Sequence, residues 1–225
     1  MTETSTEQLI ASLGQALAPV RPLRPPVLRA LLWLGATALV AGLAILRFAH
    51  LDVFMARNAE PRMALECAAT LLTAITAVVA AFHLSLPDRT SLWRFAPLPP
   101  LLLWIAASGA GCLHTGLGLG PPGARLGDSS RCFLFIVMVS LPLAGLLYAV
   151  LRRARPLDPL PVALTAALGV AALAAFVLQF FHPFDTTVID LVLHLAAVLV
   201  VVALAGLVEV LKRPLAGEVG VHRSA

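Results

Sequence analysis

APVRPLRPPVLRALLWL, residues 18–34, joins a short polar tail to the first of several long apolar runs. Pro19, Pro22, Pro25 and Pro26 remove backbone donors and hold the chain extended, so no helix runs through from the tail. A fresh helix is expected near Val27. Arg21, Arg24 and Arg29 sit immediately before an uncharged run that opens at Ala30. Basic residues next to a first membrane span favour the cytoplasmic side, which places the tail inside.

Working outward from this junction, the 225 residues are 60% hydrophobic and 12% charged, with a mean hydropathy of +0.92. So few charges cannot cover a globule in water, and an ordinary soluble protein is excluded. The apolar residues fall into continuous runs about long enough to cross roughly 30 Å of hydrocarbon. Because these runs do not alternate, they predict helices and not a barrel. The polar tail precedes a first run longer than a signal-peptide core, so that run is expected to stay as an anchor. A net charge of +4 would point to nucleic acid in a soluble domain. Here most basic residues lie in short loops between spans, with no aromatic-interleaved patch, and no direct nucleic-acid binding is expected.

Six spans are expected: about Val27 to Leu46, Met63 to Leu86, Pro97 to Leu113, Cys132 to Leu151, Pro159 to Phe181 and Ile189 to Leu211. Between them lie an outer loop from Arg47 to Arg62, an inner turn at Pro87-Asp88-Arg89, and an outer Gly/Pro-rich loop from Thr115 to Ser130. His182-Pro183 closes the fifth span, and Lys212-Arg213-Pro214 is expected to stop the sixth. Pro142 lies inside the fourth, where neighbouring helices can serve the freed backbone groups. The chain thus divides into a cytoplasmic tail over 1–26, an all-α membrane domain over 27–211 and a cytoplasmic C-terminal tail over 212–225. On this topology Arg21, Arg24, Arg29, Arg89, Arg94, Arg152, Arg153, Arg155, Lys212, Arg213 and Arg223 are inside. Arg47, Arg57, Arg62, Arg125 and Arg131 are outside, and the bias of eleven to five supports both termini inside. PLRPP at 22–26, PLPP at 97–100 and PLDPLP at 156–161 each precede an outward-going span, so the chain reads as three proline-started helical hairpins.

In the tail, Thr4 and Glu7 have capping-box spacing, and a helix is expected to start there. Leu9, Ile10, Leu13 and Leu17 then form one apolar stripe. A helix lying on the inner membrane surface is one reading. It usually carries a polar face rich in Lys and Arg, and the only charges before Arg21 are Glu3 and Glu7. A protein partner is the other reading.

All three cysteines, Cys67, Cys112 and Cys132, fall near the outer ends of spans. Cys112 and Cys132 could join across the Gly/Pro loop as a disulfide in an oxidising compartment. They could also be thiolates that bind a soft metal or become oxidised, or simply small buried hydrophobes. His50, His114, His182 and His194 lie at or near the same face, with His114 and His182 the nearest to a ligand set. No CxxC or HxxxH spacing is present, so neither a metal site nor a haem is expected, and no cofactor is assigned. Glu66, Asp190 and Glu209 lie near span ends and the middles are bare of charge, which disfavours a proton or ion path. No phosphate loop or catalytic constellation appears, so no enzyme is expected.

PVRPLRPP before the first span, HLSLPDR at 83–89, PLPPLLLW at 97–104, GC at 111–112, RCF at 131–133 and FHP at 181–183 together resemble the NrsF family. These are six-span inner-membrane proteins named as negative regulators of sigma F, and the resemblance runs from Leu9 to about Lys212. It implies an anti-sigma factor that holds an extracytoplasmic-function sigma factor at the inner face of a bacterial inner membrane until a redox or metal stress signal arrives outside. It further implies a sensory role for Cys112 and Cys132. On that reading Glu7 meets a basic sigma surface while Leu9, Ile10, Leu13 and Leu17 fill a groove. The rival reading is a small membrane transporter or a cofactor-holding membrane subunit using the outer histidines.

Overall fold

Proline costs a helix little at its first turn, where the missing N–H would have no intrahelical partner. Three long helices of this chain begin on one: α2 (Pro26–Phe48), α4 (Pro61–Leu84) and α7 (Pro159–Leu178). The computed structural model describes residues 3–15, 23–114, 126–181 and 188–218, with side chains over 6–15, 23–110, 130–181 and 189–212. The other α-helices are α1 (Glu3–Gln15), α3 (Leu51–Asn58), α5 (Leu98–His114), α6 (Leu126–Arg152) and α8 (Val188–Glu218). A 3-10 turn at Ser91–Phe95 precedes α5, and no strand occurs among the described residues.

Five of these helices are long and apolar enough to cross a membrane, with stretches of 20 to 24 residues. At 1.5 Å per residue that is about 30–36 Å, the thickness of the hydrocarbon. The remaining expected span is α5, whose 17 residues reach about 25 Å. Long helices alternate in direction. Arg29 at the start of α2 meets Val150 at the end of α6, and Tyr148 of α6 meets Lys212 of α8. At the opposite end Glu66 meets Ser108, and Thr70 meets Gln179. The first of these ends carries the tail and is called the tail-side end below; the other is the far end.

Within the bundle α4 and α7 are central, with 56% and 72% of their spans buried, against 6% for α2 and 17% for α8. Small residues make this possible. Ala69, Ala74, Ala77 and Ala81 of α4 and Ala163, Ala167, Ala171 and Ala174 of α7 are all buried, and without lipid-excluding pressure between helices such residues let backbones approach. The closest point is Gly169. A Cβ there would lie 2.8 Å from Val78 Cγ2 and 3.0 Å from the Val78 nitrogen, so only glycine fits.

Four expectations change. The three-hairpin picture does not hold for the middle pair: α5 packs on α4 and touches α8, while α6 packs on α7 and α8. Burial against the alanine-rich faces of α4 and α7 outweighs adjacency in the chain. The loop from Arg47 to Arg62 contains α3, whose Asp52 and Arg57 sit in its first and last turns and complement the helix dipole. Phe54 stacks on Phe180 at 4.0 Å and fixes α3 to the bundle. Polar residues hid the start of α6, which opens at Leu126 and not near Cys132. Lastly, α8 continues through Lys212-Arg213-Pro214 to Glu218. A proline removes one backbone bond, and beyond the apolar stretch water can serve the freed carbonyl.

Candidate functional site

A short helix of mixed polarity is marginal in water unless its apolar side is covered. Every residue of α1 from Thr6 to Gln15 is exposed. Leu9, Ile10 and Leu13 are 56%, 64% and 59% accessible and share one side of the helix at i, i+1 and i+4. Glu7 is exposed on the same helix, and Leu17 lies outside the described residues. The helix begins at Glu3, so Thr4 lies inside its first turn and is not its cap. The tail thus offers an uncovered apolar stripe flanked by acid.

This tail enters the bundle through α2, the least buried of the spans. Pro26 and Ala30 are its buried residues, and Trp33 and Leu34 lie half-buried against the core. Leu39, Val40, Leu43 and Leu46 point outward at 61–72% exposure. What α2 has in place of a long seam is Arg29. Its Nη2 donates to the Val150 carbonyl at 3.1 Å, and its guanidinium lies 5.1 Å from the centre of the Phe82 ring. One arginine in the first turn therefore ties α2 to α4 and α6 together. Sequence reading took Arg29 as a topology signal alone, and no spacing rule pairs it with a residue 121 positions away.

Near the far end the bundle is polar inside. Glu66 (8% exposed) and Asp190 (5%) line a cavity of about 50 Å³ together with Arg57, Ser108, Gln179 and His194. Ser108 Oγ donates to Glu66 Oε1 at 2.9 Å, and Gln179 Nε2 donates to Thr70 Oγ1 at 3.3 Å. His194 Nδ1 lies 2.6 Å from the Asp190 carbonyl. A carbonyl only accepts, so the ring proton sits on Nδ1. Ionisable groups inside a membrane bundle are expensive and tend to mark function. The sequence located Glu66 and Asp190 near span ends but did not show that they turn inward to one cavity.

The three cysteines belong to this same end. Cys132 is 6% exposed, in the apolar cluster with Trp104, Ile136 and Leu178. Cys67 is half-buried on α4, and Cys112 belongs to the final turn of α5 with its side chain outside the described set. His114 ends α5, and His182 lies outside the described residues. Among the described residues no group of three or more His, Cys, Asp or Glu is placed to hold a metal ion.

The chain matches, over residues 13–212, the family model described as NrsF, negative regulator of sigma F. No curated protein and no solved structure matches. The matched region takes in the whole bundle and begins at Leu13, so the first part of α1 precedes it.

Proposed function

This chain belongs to the NrsF family, and on that premise we propose that it is a membrane-bound anti-sigma factor which sequesters an extracytoplasmic-function sigma factor. The observation that carries the contact is the exposed stripe of Leu9, Ile10 and Leu13 on α1, with Glu7 beside it. A sigma surface that grips DNA and polymerase is basic. An acidic, apolar helix fits it by charge and by groove filling. Residues 1–26 form the sigma-binding tail, Leu17 extends the stripe, and 212–225 form the second inner tail. Residues 27–211 cross a bacterial inner membrane six times, with α5 as the short span and both termini cytoplasmic, on the strength of the arginine bias.

Release is set by an outer event, of redox or metal stress, at Cys112 and Cys132. Both lie on far-end helix turns, in one case inside the core. The transporter reading gains the buried Glu66 and Asp190, but their cavity of about 50 Å³ is well below the roughly 300–1,000 Å³ of small-molecule sites. A cofactor of haem size does not fit there.

The test is capture of cytoplasmic proteins by the full-length chain in detergent, comparing wild type with Leu9→Asp/Leu13→Asp. A sigma factor retained by wild type and lost from the variant supports the reading and places the contact on the stripe. If neither form retains a sigma factor while both fold, the anti-sigma proposal fails.

A further inference from the structure

At the tail-side end a second cavity, of about 290 Å³, opens between the end of α6, the start of α7 and the last apolar turn of α8. Its size is at the lower edge of the roughly 300–1,000 Å³ typical of small-molecule sites. Its rim is cationic. Arg152, Arg155 and Lys212 line it, against one acid, Glu209, which is 4% exposed and already bonded to Lys212 at 3.2 Å. Arg152 and Lys212 also share one aromatic ring: the guanidinium carbon lies 5.6 Å and the ammonium 4.3 Å from the centre of Tyr148. Tyr148 Oη takes a further bond from Lys212 Nζ at 2.6 Å. The ammonium has three donors and two are used. Two cations drawn to a single ring, with a third on the same rim, leave an excess of positive charge that Glu209 alone does not neutralise, which favours a further anion.

Arg155 adds a second line of argument. It has a φ of +48°, and it is the one non-glycine residue with positive φ among those described. Its N–H closes the end of α6 by bonding to the Arg152 carbonyl at 3.0 Å. That is the left-handed position after a helix, where glycine is cheapest and an arginine strained. The chain accepts the strain and keeps an exposed guanidinium at the cavity's edge.

Depth identifies the anion. Arg152 is the first charged residue after the apolar run of α6, Lys212 opens the basic pair that follows the apolar run of α8, and Pro159 is the first residue of α7. The cavity therefore lies where hydrocarbon ends and phosphate headgroups begin. Leu151 and Val162 give it apolar lining, and Leu146 and Leu211, close in sequence to Tyr148 and Lys212, are exposed on the surfaces of α6 and α8. We propose that this cavity binds the phosphodiester headgroup of an anionic phospholipid, held by Arg152, Arg155 and Lys212, with its acyl chains outside against α6 and α8. Basic pockets between spans are a recurrent form of such sites. The site is independent of sigma binding and of which leaflet the tail-side end faces.

The experiment is native mass spectrometry of the full-length chain with phosphatidylglycerol, phosphatidylcholine or inorganic phosphate added at equal concentration. Thermal melting runs in parallel. Wild type should retain phosphatidylglycerol at least tenfold better than phosphatidylcholine. Arg152→Gln/Arg155→Gly should bring that preference to within twofold, and it should melt no lower than wild type without lipid, since glycine suits φ +48°. Arg94→Gln, which alters a tail-side cation outside the cavity, should keep the preference. The proposal is overturned if the double variant retains phosphatidylglycerol as wild type does, or if Arg94→Gln loses as much. It is also overturned if inorganic phosphate raises the melting temperature as far as the lipid does. Sigma capture by the double variant reports on the anti-sigma reading separately.

Discussion

Replacing Gly169 tests how the bundle is built. The residue sits where α7 crosses α4, and a Cβ there would meet Val78 Cγ2 at 2.8 Å, the Val78 nitrogen at 3.0 Å and the Ala74 carbonyl at 3.3 Å. Two of those neighbours are backbone atoms. The third belongs to a β-branched side chain with essentially one helical rotamer, so it cannot swing aside. Gly→Ala inside a helix gains about 1 kcal/mol in propensity, whereas overpacking a tight seam costs about 1–3 kcal/mol. Gly169→Ala therefore nets a loss of up to about 2 kcal/mol. Gly169→Leu adds three more carbons with no further propensity gain, and its loss reaches about 3 kcal/mol or more. At about 2–4 °C per kcal/mol for a chain of this size, the leucine variant should melt roughly 6–12 °C below wild type. Gly35 on α2 has nothing within 4 Å of a Cβ built there, so Gly35→Leu is the size-matched control; with its propensity gain of about 1 kcal/mol unopposed, it should melt no lower than wild type and up to about 4 °C above it. The assay is thermal denaturation of the full chain in detergent, followed by fluorescence and by size-exclusion recovery. Equal melting temperatures for the two leucine variants would refute the claim that α4 and α7 form the packing axis.

Ile10→Ala removes part of a side chain that is 64% exposed when no partner is bound. Losing its burial against a sigma factor should cost about 1–2 kcal/mol, a five- to thirtyfold weaker complex by titration, with the fold unchanged. Serine at both Cys112 and Cys132 should leave sigma capture intact and abolish its release by oxidant or metal; release that survives would remove the cysteines from signalling. Because Cys132 is buried among apolar groups, a new hydroxyl there costs about 1–3 kcal/mol, and Cys132→Ala separates that cost from loss of the thiol. Arg29→Met keeps the stem over Phe82 but removes the bond to Val150. It should raise proteolytic cleavage within residues 23–34 severalfold without lowering the melting temperature of the bundle by more than about 4 °C.

Five of the six expected spans are helices long and apolar enough to cross a membrane, and they were legible because their signal is local: apolar length, proline at the first turn and arginine at the ends are each read within a window of about twenty residues. α3 and the start of α6 were misread for the converse reason. α3 is only eight residues long, with Asp52, Arg57 and Asn58 among its apolar residues, and α6 opens on the polar run Asp128 to Arg131; a rule that equates charge with loop fails where a helix lies at or beyond the apolar boundary. The packing was not legible. Alanine is abundant throughout the chain, and nothing local tells Ala171, fully buried, from Ala36, exposed. Only the crossing of α4 and α7 at Gly169 sorts them. For the same reason the sequence placed Glu66, Asp190 and His194 correctly along the chain but not around a common cavity. Ser108 and Gln179, which complete it, gave no signal at all, since a single hydroxyl or amide within an apolar run is equally at home facing a backbone carbonyl.

How an event at the far end could change the tail is then a question of magnitudes. Reversing a two-state equilibrium from 1:99 to 99:1 takes about 5.5 kcal/mol of differential binding. The central helices are out of reach of such a bias: α4 and α7 are buried over most of their length, and moving either breaks seams along three neighbours. α2 is within reach. It is 6% buried, it packs mainly on α4, and it carries the tail directly through Pro25 and Pro26. Its polar attachment is one charged hydrogen bond, worth about 1.5–3 kcal/mol, and one cation–π contact, worth about 0.5–2 kcal/mol. A displacement of α2 against α4 is thus the motion whose cost, a few kcal/mol, matches what a covalent or ligand event in the far-end core can supply. α4 stays fixed in that motion, and what gives way is the seat of α2 on it, where Arg29 lies over the Phe82 ring.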